Sequence, residues 1–545
     1  MSNFAARNNK INTDMNNTIG FTNFRRFQNF PEIDLGDITI LVGGNNAGKS
    51  TLVKAMLLMR DFLKSRINSN DISRYNYGLF QPKFSFDTEH VNVGDFYRAF
   101  CRQSPAKEDM ISFKMRIDKF RFLVELRGER KPGIVPKVTM ISVSDEDSDI
   151  HFTFDFSIGE MTVRFEYDRE ALNNNAHTLR EHKLQLNALK EKLSKSRDFN
   201  EISILKMEIE QEEKIINSSN IDTEISEYEE VTIPFFFFND YSIGKMLLPE
   251  LIKGFTEYAE TGTTGNKRSA SYKKEEANKY FLRGKELEIL KVSEELEEFL
   301  NKQDIEYVYA HSVAQKLFYA DCIESLSSDY TKRTIHEFYN AHITDEDKEF
   351  FIIKEWLENF EIGNSLEVIP FSGDNYRVLI YDKENPHGID LADKGMGSIQ
   401  LVVLLLRIAT FAHKYKTADL TILLEEPEQN LHPAIQSKLA DMLYEVNEEF
   451  GIRFIVETHS EYLIRRTQVL VAGFNNNDEA TLNRNIPFAV YFLNKNPEEE
   501  PKKMTYKLSG AFNEKFGEGF FDEASKWDMM IIRKEFEQNK KKKEN

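Results

Sequence analysis

The 545-residue chain carries 90 acidic against 71 basic side chains, for a formal net charge of −19, and 41% of it is hydrophobic. That length exceeds one ordinary core and points to two or three packed regions. The charge repels a phosphate backbone overall, so nucleic-acid binding would need a locally basic groove, and the two cysteines, Cys101 and Cys322, exclude a cysteine-based zinc knuckle.

The opening segment MSNFAARNNKINTDMNN lacks the apolar stretch of a signal peptide. The longest apolar runs, LVVLLLRIATFA and PFFFF, are too short to span a bilayer. A cytoplasmic protein without a membrane partner is the expectation. Basic stretches at Lys190 to Arg197 and Lys540 to Lys543 read as a solvated helix face and a terminal tail.

Phe21 to Val42 reads as two strands with a turn between them, FTNFRRFQNF and then ITILV, the second running into glycines. Leu52, Ala55, Met56, Met59 and Leu63 then keep the spacing of a helix packed on one side. Strand, glycine loop and helix are therefore expected at Ile38 to Leu63. Short alternating runs from Ile111 to Tyr167 predict antiparallel strands with one wet face.

Ala171 to about Ser218 has no Pro or Gly and keeps only a rough heptad, which suits a short antiparallel helical hairpin. Thr261 to Ser271 reads as a loop, while Tyr272 to Leu300 and Ile335 to Phe360 read as amphipathic helices. Ala418 to Leu424 and Ile452 to Glu457 are mostly apolar strands flanking a helix at Ile435 to Phe450, the order of a parallel sheet. The resulting division is 20–170 for one half of a nucleotide-binding head, 171–230 for the hairpin, 231–370 for a helical subdomain and 371–545 for the other half.

Gly43-Gly44-Asn45-Asn46-Ala47-Gly48-Lys49-Ser50 satisfies G-x-x-x-x-G-K-[ST] between a predicted strand and a predicted helix. Glycines permit the tight path that turns amides toward phosphate oxygens, and the helix start adds positive potential. Gly43, Asn45, Asn46, Ala47, Gly48, Lys49, Ser50 and Thr51 form the expected nucleotide-binding set. Lys49 is expected on the β- and γ-phosphates of ATP and Ser50 on Mg²⁺.

Leu420 to Pro427 ends a strand with two acids: Glu425 is expected at Mg²⁺, Glu426 as general base for the attacking water. Ile455-Val456-Glu457-Thr458-His459-Ser460 ends the next strand with a histidine able to bond the γ-phosphate or that water. Lys49, Glu426 and His459 are the catalytic candidates.

This set resembles the ABC-type ATPases of the SMC, RecF and OLD group, and more narrowly the prokaryotic AAA-type ATPases with an insertion between the two halves, several of which serve in anti-phage defence. The resemblance spans roughly residues 20 to 100 and 385 to 523. It implies an α/β P-loop NTPase fold: an ABC-type ATPase head with a β-rich lobe and a helical insertion. It places Arg25 near the nucleotide and gives Glu428 to Pro433 the part of a D-loop. Leu391 to Gln400 resembles a divergent signature loop, with Ser398 after Gly395 and Gly397 instead of before them.

In the family's geometry such a loop serves the partner's nucleotide, so a homo-oligomer through ATP-sandwiched heads is implied. Val93 to Phe96 resembles the surroundings of a Q-loop without a well-placed glutamine, and Phe516 to Glu523 resembles a closing segment read as a packed hook. Fewer than 90 residues follow His459, too few for the nuclease domain of OLD proteins, so none is expected here. The leading expectation is a dimeric ATPase that senses a trigger and regulates a separate effector protein, a nuclease or toxin, in bacterial defence. The alternative is an SMC- or RecF-like clamp on DNA or another nucleic acid.

Overall fold

The computed structural model describes residues 17–65, 82–166 without 83, 89 and 106–108, and 330–517 without 372–374, 416–419 and 475–477. It also describes 185–190, 192–193, 202, 204–210, 213, 228–234, 252, 286–302, 304–308, 319–320 and 526–535. The Thr261 to Ser271 loop, Cys322 and most of the closing segment lie outside these residues.

Six strands form the central sheet: β1 (Ile38–Gly43), β2 (Asp304–Val308), β3 (Leu420–Glu425), β4 (Arg453–Glu457), β5 (Phe488–Leu493) and β6 (Lys502–Met504). Their spatial order is β2-β3-β4-β1-β5-β6, parallel except for the last pair. Nearly every residue of β1, β3 and β5 is buried, as strands covered on both faces require. Alternation along each strand sends side chains into two cores. Leu41, Leu423, Ile455 and Tyr491 enter one, and Ile40, Ile422, Leu424, Phe454 and Val490 enter the other.

The first core holds helix α1 (Lys49–Lys64) and an eight-stranded antiparallel lobe running through Asn17–Phe24, Phe27–Leu35, Met110–Ile117, Phe120–Arg127, Lys137–Asp145, Ile150–Asp155, Glu160–Glu166 and Tyr228–Pro234. Within it Phe120–Arg127 alternates buried and half-buried residues, the expected one-sided pattern. Helix α2 (Glu286–Lys302) packs on the same lobe, Phe299 against Phe120 at 5.1 Å.

The second core holds α3 (Met396–Lys414), α4 (Pro433–Phe450) and α5 (Glu461–Ala472) together with helices Tyr330–Asn340 and Lys348–Asn359. Helix α3 is apolar over most of its surface, with Arg407 the charged exception within Leu401 to Ala412, and is long enough by length and composition to cross a membrane. Its residues from Leu401 to Ala412 are all buried in the head, the usual place for so apolar a helix.

Two expectations change. FTNFRRFQNF is a hairpin that reverses at Arg25-Arg26, not one strand. Its Phe21, Phe24, Phe27 and Phe30 are spaced by three, which one strand would split between its faces; the turn lets Phe21 meet the other three rings at 4.6 to 5.8 Å. The region 231–370 contains the expected helices but also β2, an edge strand of the central sheet. Within 171–230, the described residues 185–190 and 204–210 are helical, and Lys190 meets Glu213 at 2.6 Å.

Candidate nucleotide site

The carboxyl ends of β1, β3 and β4 converge, as open parallel sheets require of a ligand site. Gly43 ends β1 and Gly48 caps α1 with φ of 104°, a left-handed conformation that glycine adopts without strain. A Cβ at Gly48 would sit 2.4 Å from the Phe27 ring, so the loop has no room for a side chain there.

Lys49 is 3% exposed. Its Nζ donates to the carbonyls of Gly43 at 3.1 Å and Gly44 at 3.4 Å, lies 2.9 Å from His459 Nε2 and 3.9 Å from Glu457 Oε1. Burial lowers the ammonium pKa below its ordinary value, and Glu457, Glu426 and Glu428 oppose that shift. Burial, joined by Lys49, likewise lowers His459, which favours a neutral ring whose Nε2 accepts from the lysine.

Ser50 Oγ donates to Glu457 Oε1 at 2.9 Å. Glu457 is paired in register with Glu425 across β3 and β4, so two carboxylates end adjacent strands side by side. Burial pushes the Glu457 carboxyl up to about 7, against the Ser50 hydrogen bond and Lys49. Its Oε2 is buried with no hydrogen-bond partner among the described residues. A serine hydroxyl, two neighbouring carboxylates and a bare buried oxygen fit a hard divalent cation such as Mg²⁺, which takes oxygen ligands and keeps several waters. Beside Ser50 and Glu425, the residues the sequence marks for the metal, the structure adds Glu457.

Glu426 has φ of 44°, an uncommon backbone for a non-glycine residue. Its amide donates to the Glu457 carbonyl at 2.8 Å, Gln429 Nε2 donates to its carboxylate, and its Oε1 lies 3.5 Å from His459 Nε2. Lys49, Glu426 and His459 are thus brought together. Glu428, 7% exposed, accepts from the His459 amide at 2.7 Å and fixes the loop that carries the histidine.

Beside the P-loop lies a cavity of about 790 Å³ lined by Asn46, Ala47, Gly48, Lys49, Ser50, Thr51 and Glu457. Arg25 lines it too, together with Arg26, Lys54, Arg98, Arg102, Lys495 and Gln103, which no motif marks. Burial and then Arg98 lower the Arg25 pKa; burial and then Arg25 lower that of Lys54. Seven cations face one carboxylate, the electrostatics of a polyanion site. Gln103 lies a few residues beyond Val93 to Phe96, the segment that resembles the surroundings of a Q-loop. Asn45 is exposed at the loop tip.

Gly395, Gly397 and Ser398 do not line that cavity. They open α3, with Gly395 exposed at its cap and nothing within 4 Å of the position a Cβ would take. A Cβ at Gly397 would lie 2.6 Å from the Asn430 carbonyl, so this turn packs on the segment expected as a D-loop. Phe516, where the closing segment begins, packs on Phe492 at 5.7 Å.

A family model described as AAA ATPase domain matches residues 15–464. No curated protein matches the chain. Among solved structures, the Smc head domain of Pyrococcus furiosus with an extended coiled coil, bound to the C-terminal domain of ScpA, is 12% identical with a TM-score of 0.33, covering 90% of this chain and 96% of that one. The Smc head with a coiled coil and joint from Pyrococcus yayanosii is 12% identical with a TM-score of 0.32, covering 90% and 97%. These are distant likenesses.

Proposed function

The chain belongs to the AAA ATPase domain family, and on that premise we propose that it hydrolyses ATP in a site completed by a second copy of itself. The observation that carries this reading is the cluster of Lys49, Ser50, Glu457, Glu426 and His459 at three adjacent strand ends.

Lys49 exchanges its contacts with His459 for the β- and γ-phosphate oxygens, and the Arg25 side of the cavity neutralises the remaining charge. Glu426 takes a proton from water as the water oxygen attacks the γ-phosphorus; the bond to the β-γ bridging oxygen breaks, leaving ADP and phosphate. Released by the lysine, neutral His459 is free to accept from the water at Nε2 or, in its other tautomer, to donate from Nε2 to the γ-phosphate. Mg²⁺ held by Ser50 and Glu425, with Glu457 beside them, would supply charge neutralisation on the β- and γ-oxygens. Gly395, Gly397 and Ser398 of the second copy present a helix start to the same γ-phosphate.

The cycle opens and closes paired heads, and in this reading it controls a separate effector protein in bacterial anti-phage defence. What supports this is the length of chain between the two halves of the head, 167–329, of which Tyr228–Pro234, α2 and β2 join the lobe and the central sheet and the remainder is long enough to grip another protein. The test is Mg²⁺-dependent phosphate release together with light scattering. Wild type should dimerise with ATP and separate after turnover. A monomer that hydrolyses ATP at full rate would end the split-site reading. Salt-sensitive duplex DNA binding by the ATP-bound dimer would replace the effector role with that of a clamp.

A further inference from the structure

We propose that Tyr307 is a positioning residue for Glu425, and that strand β2 ties the P-loop helix, the signature-like helix and the metal-holding carboxylate into one unit. The inference rests on the ATPase reading above.

Three consecutive residues of β2 reach three parts of the site. The Ile305 carbonyl accepts from Arg60 on α1. Glu306 lies 3.4 Å from Arg407 on α3, and that arginine, 3% exposed, is also bonded to Glu337. The Tyr307 hydroxyl donates to Glu425 Oε2. Strand periodicity explains the arrangement: Glu306 points to one face of the sheet, while Ile305 and Tyr307 point to the other, into the core that holds α1.

A carboxylate that must hold Mg²⁺ with one oxygen is oriented by a donor on its other oxygen, and a buried phenol is rigid enough to do so. Tyr307 is 6% exposed, so this bond is sheltered from water. The residue touches neither nucleotide nor water in the proposed cycle; it acts through Glu425. Because β2 follows α2 after one residue, and α2 packs on the lobe through Phe299 and the Lys119–Glu295 pair, a shift of the lobe and α2 reaches the Mg²⁺ ligand through this strand.

The experiment measures binding of adenylyl imidodiphosphate, first in chelator and then across a Mg²⁺ titration, for wild type and Tyr307→Phe. The expected result is equal affinity in chelator and a rise of roughly 10-fold or more in the Mg²⁺ needed for half-maximal tightening, the usual scale for losing a ligand's outer partner. Superimposable Mg²⁺ titrations overturn the proposal while leaving the ATPase reading intact. A wild type with no Mg²⁺-dependent tightening overturns both. Should the phenylalanine variant lose thermal stability, the pair Tyr307→Phe and Glu425→Gln decides. The tyrosine change should add nothing once the carboxylate is gone, and additive effects overturn the inference.

Discussion

The lysine-bearing and serine-bearing parts of the proposed site are built to opposite specifications. Around Lys49 the ammonium is buried and tied both to the carbonyls of its own loop and to His459 and Glu457 at the end of a neighbouring strand. Around Gly395 the chain is exposed, with open space over the cap of α3. A rigid, charged half can hold a phosphate chain unaided, whereas an open helix start in the same molecule has nothing to hold. The contrast teaches that preorganisation is confined to one half; in the proposed cycle the other is completed by a second copy.

The sharpest blow to that contrast would come from Glu426→Gln. Phosphate release should fall by about 10²- to 10⁴-fold, the range for a general base. ATP affinity should be kept and the ATP-bound dimer should last longer, as read by size-exclusion light scattering. Lys49→Ala should cost roughly 100-fold or more in turnover, as for lost charge stabilisation of a transition state, and should also weaken nucleotide binding in a fluorescence titration.

A more searching measurement mixes two dead proteins. Lys49→Ala and Ser398→Arg should each be inactive alone and recover activity when combined, because one mixed pair retains an intact lysine loop facing an intact serine loop. No recovery would merge the two halves into one chain.

Gly397→Ala forces a Cβ toward the Asn430 carbonyl and should reduce ATP-dependent dimerisation several-fold without changing affinity for nucleotide in the monomer. The smallest expected effect lies away from the site. Burial, with Glu355 nearby, raises the Glu445 carboxyl from 4.5 to about 7, so the folded state holds a proton that the unfolded state releases. Its contribution to stability is therefore full below about pH 4.5 and declines as pH rises toward 7. Glu445→Gln should raise the melting temperature at pH 8 and leave it nearly unchanged at pH 4.5.

Local patterns made much of this legible. The glycine loop, the acids after LTILL and the histidine after FIVE announce themselves because continuous apolar strands end directly in chemistry. What the pattern could not reveal depends on register or on distant chain. Glu457 gains meaning only from its alignment with Glu425, although strand-helix-strand spacing carried that signal. Arg98 reaches the cavity from the short helix Phe96–Ala99 and Arg102 from the turn after it, with no motif to mark them. Tyr307 lies within 231–370, the region expected as a helical subdomain, between the two stretches that read as helices, where a five-residue strand leaves little periodicity to detect. The reversal at Arg25-Arg26 was hidden because Arg25 takes a φ of 57° without the glycine or asparagine that usually announces it.

The middle position of β1 has a price during synthesis. It is flanked on both sides by β4 and β5, which emerge some four hundred residues after it. A nascent chain therefore carries an apolar strand with two bare edges while those residues are made, the situation that invites aggregation and chaperone attention. Ribosome-bound intermediates stalled before Arg453 should be captured by holdases, and those stalled after β5 has cleared the exit tunnel should not.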